Sequence, residues 1–358
     1  MTERVLTTRE LNRALLARQL LLERSRMPLV RAVEQVGGLQ TQYAPSAYIG
    51  LWTRLERFDL EQLTRALERK RVIQGTLMRS TIHVVSARDY WLFSDGLGPS
   101  REAWWRRSHG KNAVGDIDAV RDRLRAELAG RVWQRKELDE LLRTHGSTFW
   151  QGVWLELIRV PPSGTWERRR ADLFQLAEEW MGRRAAGEEA GLVHLLRRYL
   201  DGFGPGTVNE AANWAGVPVT RMKEASERLT LRRFRSEEGK VLLDLPRSPL
   251  PGAGTRAPVR FLPTWDATLL VHARRTLILP EQYRERIFNT KSPQSFATFL
   301  VDGAVSGTWR WERAGEKATV VVEPFERLPR GAVREVRDEA ARLVRFVEPD
   351  ATSYAVKL

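Results

Sequence analysis

The sequence predicts an α+β protein assembled from repeated units in which short helices are followed by strands. Three observations carry this reading. The helix-then-strand order recurs through residues 1–250, one copy contains two helices joined by a glycine turn, and a proline-rich stretch then gives way to strand-like segments.

In the first copy, Thr7 and Glu10 have capping-box spacing, and Leu11, Leu15 and Leu22 follow as an apolar stripe. Pro28 opens a second helix, Leu29 to Val36, which Gly37-Gly38 stops. Ser46 to Leu55 has helical spacing, and Asp59 caps a further helix with Gln62 at the matching position. Thr81 to Val85 is β-branched and strand-like, and Ser86 with Asp89 starts another helix. In the second copy, Asp116 to Leu128 and Lys136 to Thr144 read as helices, and Ser147 leads into Trp150 to Ile158. Pro161-Pro162-Ser163-Gly164 is where a wing would bend.

The third copy is the clearest. Thr207 to Ala215 is a short helix, Gly216-Val217 a tight turn, and Pro218 to Leu229 a second helix, which is the helix-turn-helix arrangement. Leu231 to Phe234 and Val241 to Leu245 then flank a hairpin with Gly239 in its turn. Arg232, Arg233, Arg235 and Lys240 load this wing with the positive charge that phosphate contact requires. Pro246 to Pro258, with four prolines and two glycines, reads as a linker. Beyond it, Phe261 to Leu279 and Thr298 to Phe325 read as short strands with glycine turns, and Trp309 and Trp311 share one strand face. A small β-barrel or curled sheet fits, and Gly331 to Val347 returns to helical spacing. The expected units are therefore residues 1–112, 113–188 and 189–250, each a winged helix-turn-helix, and 251–358, a C-terminal small β-barrel with a final helix.

Lys and Arg total 59 against 45 acidic residues, a formal charge of +14, which favours polyanion partners over neutral ones. There is no cysteine, so disulfides, cysteine–zinc sites, iron–sulfur clusters and thiol nucleophiles are all excluded. No apolar signal core opens the chain and no run approaches a membrane span, so a cytoplasmic protein without a membrane partner is expected. The five histidines, His83, His109, His145, His194 and His272, are scattered without an i, i+4 pair, so no metal site is expected. No phosphate-cradling or dinucleotide-binding glycine motif is present, and no cofactor is expected. Gly202 to Gly206 is glycine-rich but lies between helices and reads as a loop. The thirteen tryptophans offer base-stacking surfaces, although core packing is their commoner fate. In Gln40-Thr41-Gln42, an extended backbone would turn two neutral amides to one side, each with a donor and an acceptor.

Several segments together resemble the winged-helix DNA glycosylase superfamily of AlkZ and YcaQ. They are Gly38-Leu39-Gln40-Thr41-Gln42, Arg54-Leu55, Met78-Arg79-Ser80-Thr81-Ile82-His83, Pro263-Thr264-Trp265-Asp266, Val271-His272-Ala273-Arg274-Arg275 and Leu300-Val301-Asp302-Gly303, and the resemblance spans roughly residues 5–350. It implies three tandem winged helices in a C-shape closed by a β-barrel. It also implies excision of alkylated bases from double-stranded DNA by a monomer, including bulky adducts and crosslinks made by genotoxic natural products, with self-resistance as one use. Gln40 and Gln42 match the two glutamines of the family's signature, while Thr41 departs from its apolar middle position. The resemblance makes Tyr43, Arg79, His83, His272, Arg274 and Arg275 candidate lesion or backbone contacts, together with Arg232 and Arg233 of the wing. The hairpin from Asp302 to Thr308, with Gly303 and Ser306, becomes a candidate minor-groove element. Two other readings remain: a non-catalytic regulator using the Thr207 to Leu229 helix-turn-helix, and a protein that sequesters lesions without turnover.

Overall fold

The structure is a computed structural model that describes residues 3–109, 117–145, 155–270, 277–288 and 295–358. Strand β1 (Val5–Leu6) leads into α1 (Thr8–Arg18), where Thr7 accepts from the Glu10 N–H and Glu10 reaches back, the expected capping box. Then come α2 (Leu29–Gln35), β2 (Leu39–Gln40), α3 (Pro45–Arg54) and α4 (Leu60–Glu68). The Asp59 carboxylate caps α4 by accepting from the Gln62 N–H at 2.9 Å. Strands β3 (Val72–Thr76) and β4 (Ile82–Ser86) are joined by a turn in which Arg79 and Ser80 both adopt left-handed φ, 52° and 56°. The long helix α5 (Ala87–His109) starts on Ser86, whose hydroxyl accepts from the Asp89 N–H.

The chain continues through α6 (Ile117–Leu128), β5 (Trp133–Gln134), α7 (Arg135–Thr144), β6 (Leu157–Arg159), β7 (Leu173–Leu176), α8 (Ala177–Met181) and α9 (Glu188–Phe203). Helices α10 (Val208–Ala215) and α11 (Val219–Glu227) form the expected helix-turn-helix, with Gly216 left-handed at φ 81° between them. Strands β8 (Arg232–Ser236) and β9 (Val241–Asp244) form the expected hairpin, and β1 extends it in parallel to three strands. The C-terminal region holds β10 (Arg260–Leu262), α12 (Ala267–Leu270), α13 (Arg284–Ile287), β11 (Thr298–Val301), β12 (Ala304–Ala314), β13 (Lys317–Pro324), α14 (Arg330–Val347) and β14 (Ser353–Lys357).

Two expectations are corrected here. The C-terminal strands form an open sheet in the order β10-β11-β12-β13-β14, and among the described residues no sheet closes into a barrel. Helix α14 packs on β10, β13 and β14, burying Val336, Ala340, Leu343 and Val344, so a helix covers the face that closure would have covered. Of the short strands expected over Phe261 to Leu279, the described residues hold only β10, because Asp266 accepts from the Thr268 N–H at 3.0 Å and from its hydroxyl at 2.7 Å and starts α12 instead.

The remaining strands make one six-stranded sheet in the order β2-β4-β3-β6-β7-β5, so strands from the first two expected units are joined edge to edge through β3 and β6. One apolar core runs from Leu51, Leu63 and Val84 into Phe261, Phe299, Val320 and Leu343 of the C-terminal region. A second joins Phe93, Leu195, Tyr199 and Trp214 under the helix-turn-helix.

Charge also crosses the interior. Arg54 at the end of α3 makes a two-pronged pair with Asp266 at 2.9 and 3.0 Å, both side chains being essentially inaccessible to solvent. At the other end of α3, the Ser46 and Thr264 hydroxyls meet at 3.0 Å. Burial pushes the Asp266 carboxyl up, but the Arg54 charge and the bonds from Arg54 and Thr268 outweigh it and hold the group below its usual range. Arg54→Met strands Asp266 as a buried unpaired charge and should cost about 3–5 kcal/mol in urea unfolding, while Arg54→Met with Asp266→Leu should recover most of the loss. A single variant as stable as the wild type would show that the pair is not needed.

Candidate active site

Strand β2 pairs antiparallel with β4, which sets Gln40 opposite His83 and Leu39 opposite Val84. Gln40 is buried, and its Oε1 accepts from Arg79 Nη2 at 3.2 Å. Gln42 lies in the exposed bend before α3, and its Oε1 accepts from the Ile82 N–H at 3.2 Å. The Gln40 amide therefore reaches the turn before β4 from inside the protein, and the Gln42 amide reaches the first residue of β4 from its surface. Each amide oxygen keeps a second lone pair, and each NH2 group remains a donor.

Thr41 between them is fully buried. Its N–H donates to the Ile82 carbonyl at 2.8 Å, and its own carbonyl accepts from Arg159 Nη1 at 3.4 Å. Its hydroxyl has no partner among the described residues. The environment is thus the one an apolar side chain would want.

Arg79 connects this loop to the helix-turn-helix. Its Nη1 donates to the carbonyl of Trp214 in α10 at 2.6 Å, while its Nη2 holds Gln40. The turn must contain glycine at 216, since φ is 81° and a Cβ there would lie 3.1 Å from the Arg79 backbone nitrogen. Burial lowers the Arg79 guanidinium to about 10, still charged near neutral pH, and no carboxylate acts on it.

His83 is buried beside it. Its Nδ1 lies 3.0 Å from the Thr81 carbonyl, and a carbonyl only accepts, so Nδ1 carries the hydrogen and Nε2 keeps a lone pair. Burial, reinforced by the Arg79 charge, pushes the imidazole down to about 3 against the opposing bond to Thr81. His83 is therefore neutral under physiological conditions. Tyr43 is 38% exposed, and its hydroxyl accepts from Arg169 Nη1 at 3.4 Å.

The structure brings together Gln40, Gln42, Arg79 and His83, with Tyr43 next along the chain, and it places other expected residues elsewhere. Asp302 and Gly303 form the turn between β11 and β12, which docks on α1. Asp302 is paired with Arg9 and Arg13, whose charges and hydrogen bonds outweigh burial and hold its carboxyl low. The Gly303 carbonyl accepts from Asn12 Nδ2 at 2.9 Å, and a Cβ at Gly303 would lie 2.6 Å from Leu16. The Ser306 hydroxyl donates to the Ala304 carbonyl. Asp302 and Gly303, in the turn expected to reach DNA, are thus held by the chain's own first helix. In the wing, Arg232 pairs with Asp244 at 2.6 Å and Arg233 with Glu3 at 2.9 Å. His272, Arg274 and Arg275 lie outside the described residues.

Arg159 and the Trp214 carbonyl are supports that sequence reasoning missed. A lone arginine inside the apolar run Leu157-Ile158-Arg159-Val160 was the available signal. Burial lowers the Arg159 guanidinium to about 10, with the nearby Arg135 charge acting in the same sense. The whole arrangement offers amide dipoles, a neutral imidazole and a fixed cation. The amide oxygens and the imidazole nitrogen are acceptors that can hold a water, while the cation is engaged in positioning Gln40 against the Trp214 carbonyl.

A sequence model described as DNA glycosylase AlkZ-like matches residues 33–346. Among solved structures, the DNA glycosylase AlkZ of Streptomyces sahachiroi is similar with a TM-score of 0.80 at 20% identity, over 98% of this chain and 100% of that one, a likeness of fold. No curated protein matches the sequence. The family match covers most of the chain, including the Gln40 loop and the Arg79 turn, and the chain belongs to the AlkZ-like DNA glycosylase family.

Proposed function

We propose that the chain hydrolyses the N-glycosidic bond of alkylated purines, of the N7-alkylguanine type, in duplex DNA, with Gln40 and Gln42 as the catalytic amides. The observation that carries this reading is the grouping of two amide oxygens and a neutral imidazole nitrogen, acceptors that can hold a water, around the Arg79 turn and the start of β4. An N7-alkylated purine is already cationic, so its glycosidic bond is weak and the leaving base needs no acid. Water bonds to C1′, the glycosidic electron pair leaves with the purine, and the water proton passes to solvent. The free lone pairs of the glutamine oxygens accept from that water, and their dipoles face the oxocarbenium-like sugar. Arg79 keeps the Gln40 oxygen in place, and His83 Nε2 is a further acceptor.

No lysine contacts the loop among the contacts described, which supports base release without strand cleavage, a monofunctional reaction. The same reading takes in bulky adducts and crosslinks. A base tied to the opposite strand cannot be flipped freely, and an open cleft formed by three winged units in a C-shape would approach it from the groove. Action as a monomer in the cytoplasm and self-resistance to a genotoxic product belong to this proposal.

Gln40→Ala combined with Gln42→Ala should abolish release of 7-methylguanine from a duplex oligonucleotide while DNA affinity is retained. Undiminished release would sink the assigned roles. Thr41→Val removes an unpaired buried hydroxyl and should raise stability by about 1 kcal/mol with base release intact; a lowered melting temperature would show that the hydroxyl is bonded after all. The pH dependence follows from His83. Its folded value near 3 lies below the unfolded value, so the unfolded chain binds the proton more readily as pH falls. The stability His83 contributes is complete above about pH 6.5, and about 2 kcal/mol of it should be gone by pH 5. His83→Gln should lose correspondingly less stability between pH 7 and pH 5, and parallel curves would show that His83 is not held neutral.

A further inference from the structure

A cleft of about 520 Å³ lies between the last turns of α5 and the helix-turn-helix. Its walls include Arg79, Arg101, Trp104, Arg107, Asn213 and Pro218, and among the described residues no aspartate or glutamate lines it. A neighbouring cleft of about 620 Å³ also borders α5, but there the arginines face Asp95, Glu102, Glu156 and Glu188. The two clefts share a helix and differ in charge balance. One is neutralised by the chain itself and the other is not.

The individual groups repeat this imbalance. Arg107 is exposed and has no carboxylate partner among the described residues. Arg79 is largely buried, bonds only to a carbonyl and an amide oxygen, and burial has pulled its guanidinium down to about 10 with no acid to counter it. Arg101 lines both clefts, is fixed by the Thr76 carbonyl at 2.6 Å and by Ser94, and feels the charges of Glu156 and Asp95, so it is not one of the uncompensated groups. Pro218, the N-cap of α11, lines the cleft and gives the helix no side-chain cap, so the first N–H groups of α11 are not taken by a capping side chain beside it. Trp104, 41% exposed, gives the cleft an apolar edge. A ligand here must bring negative charge on oxygens that several donors can share, and it must do so within reach of the residue that holds Gln40.

We propose that this cleft seats a backbone phosphodiester of the DNA strand, with Arg107 and Arg79 as its cationic partners and the start of α11 beside it. The phosphate is the counter-ion the cleft lacks. Because Arg79 also grips Gln40, strand engagement and the catalytic loop share one side chain. The proposal rests on the duplex-DNA reading above and names where the strand is held.

The test is binding of undamaged duplex DNA over a range of salt concentrations, with Arg107→Gln as the main variant. Arg107 is exposed, so the variant should melt as the wild type does. It should weaken binding alike on all sequences and flatten the plot of log affinity against log salt by about one unit. Arg337→Gln, an equal loss of charge on α14 and outside the cleft, should leave the slope at the wild-type value. Single neutral methylphosphonate linkages then locate the contact: one position should weaken wild-type binding and cost nothing further in Arg107→Gln. An unchanged slope in Arg107→Gln, equal flattening in Arg337→Gln, or a linkage that still costs in the variant would each overturn the assignment. Base release by the wild-type protein is measured in parallel. Its absence alongside a positive phosphate scan would sink the chemistry and leave the cleft, and the opposite pattern would sink only the cleft.

Discussion

The two-pronged contact between Arg54 and Asp266 is the constraint on which the site depends. Helix α3 begins directly after the Gln40 loop, so wherever α3 is held, the loop is held. Asp266 fixes its far end and Thr264 its near end, both from the short segment after β10. Arg54 also donates to the Gly50 carbonyl and to Gln19, and Asp266 also accepts from Thr268, so most of the desolvated charge is hydrogen-bonded. A buried ion pair of this kind contributes position more surely than stability. On the opposite flank Arg79 ties the same loop to the carbonyl of Trp214. The Gln40 loop is thus suspended between the C-terminal sheet and the helix-turn-helix, and neither anchor is adjacent to it in sequence.

This arrangement explains which features the sequence disclosed. The caps at Thr7 and Asp59, the helix start at Thr207 and the turn at Gly216 were all legible, because each is settled by residues within one turn of chain. The barrel was not, because closure depends on whether β10 and β14 meet, and a helix far along the chain from the first core residues decides that they do not. The fusion of strands from two expected units into one sheet is long-range in the same way. At the site, spacing alone offered two amides on one side. It could not show that Gln40 is buried and Gln42 exposed, nor that an arginine and a serine adopt left-handed backbone beside them. The scattered segments that carried the family resemblance turn out to be partners in space: Arg54 with Asp266, and Arg79 with Gln40.

Net charge gave the class of partner without its address. The arginines of the wing are conspicuous in sequence, yet Arg232 and Arg233 are paired with Asp244 and Glu3. Arg107 and Arg79 are inconspicuous in sequence, and they line a cleft without acidic groups. An unfavourable local charge balance is a better guide to polyanion contact than a count of basic residues, since paired charges are largely spent before a ligand arrives.

The docking of α1 has a consequence for how the molecule is made. Arg18 pairs with Asp244, 226 positions later, and Asn12 bonds the Gly303 carbonyl, 291 positions later. During synthesis α1 leaves the ribosome long before either partner exists. Its buried face, Leu11, Leu15 and Leu16 with the guanidinium groups of Arg13 and Arg18, has nothing to settle against until most of the chain has been translated. This early-synthesised helix is therefore among the last to be seated, and its docking joins residues far apart in the chain.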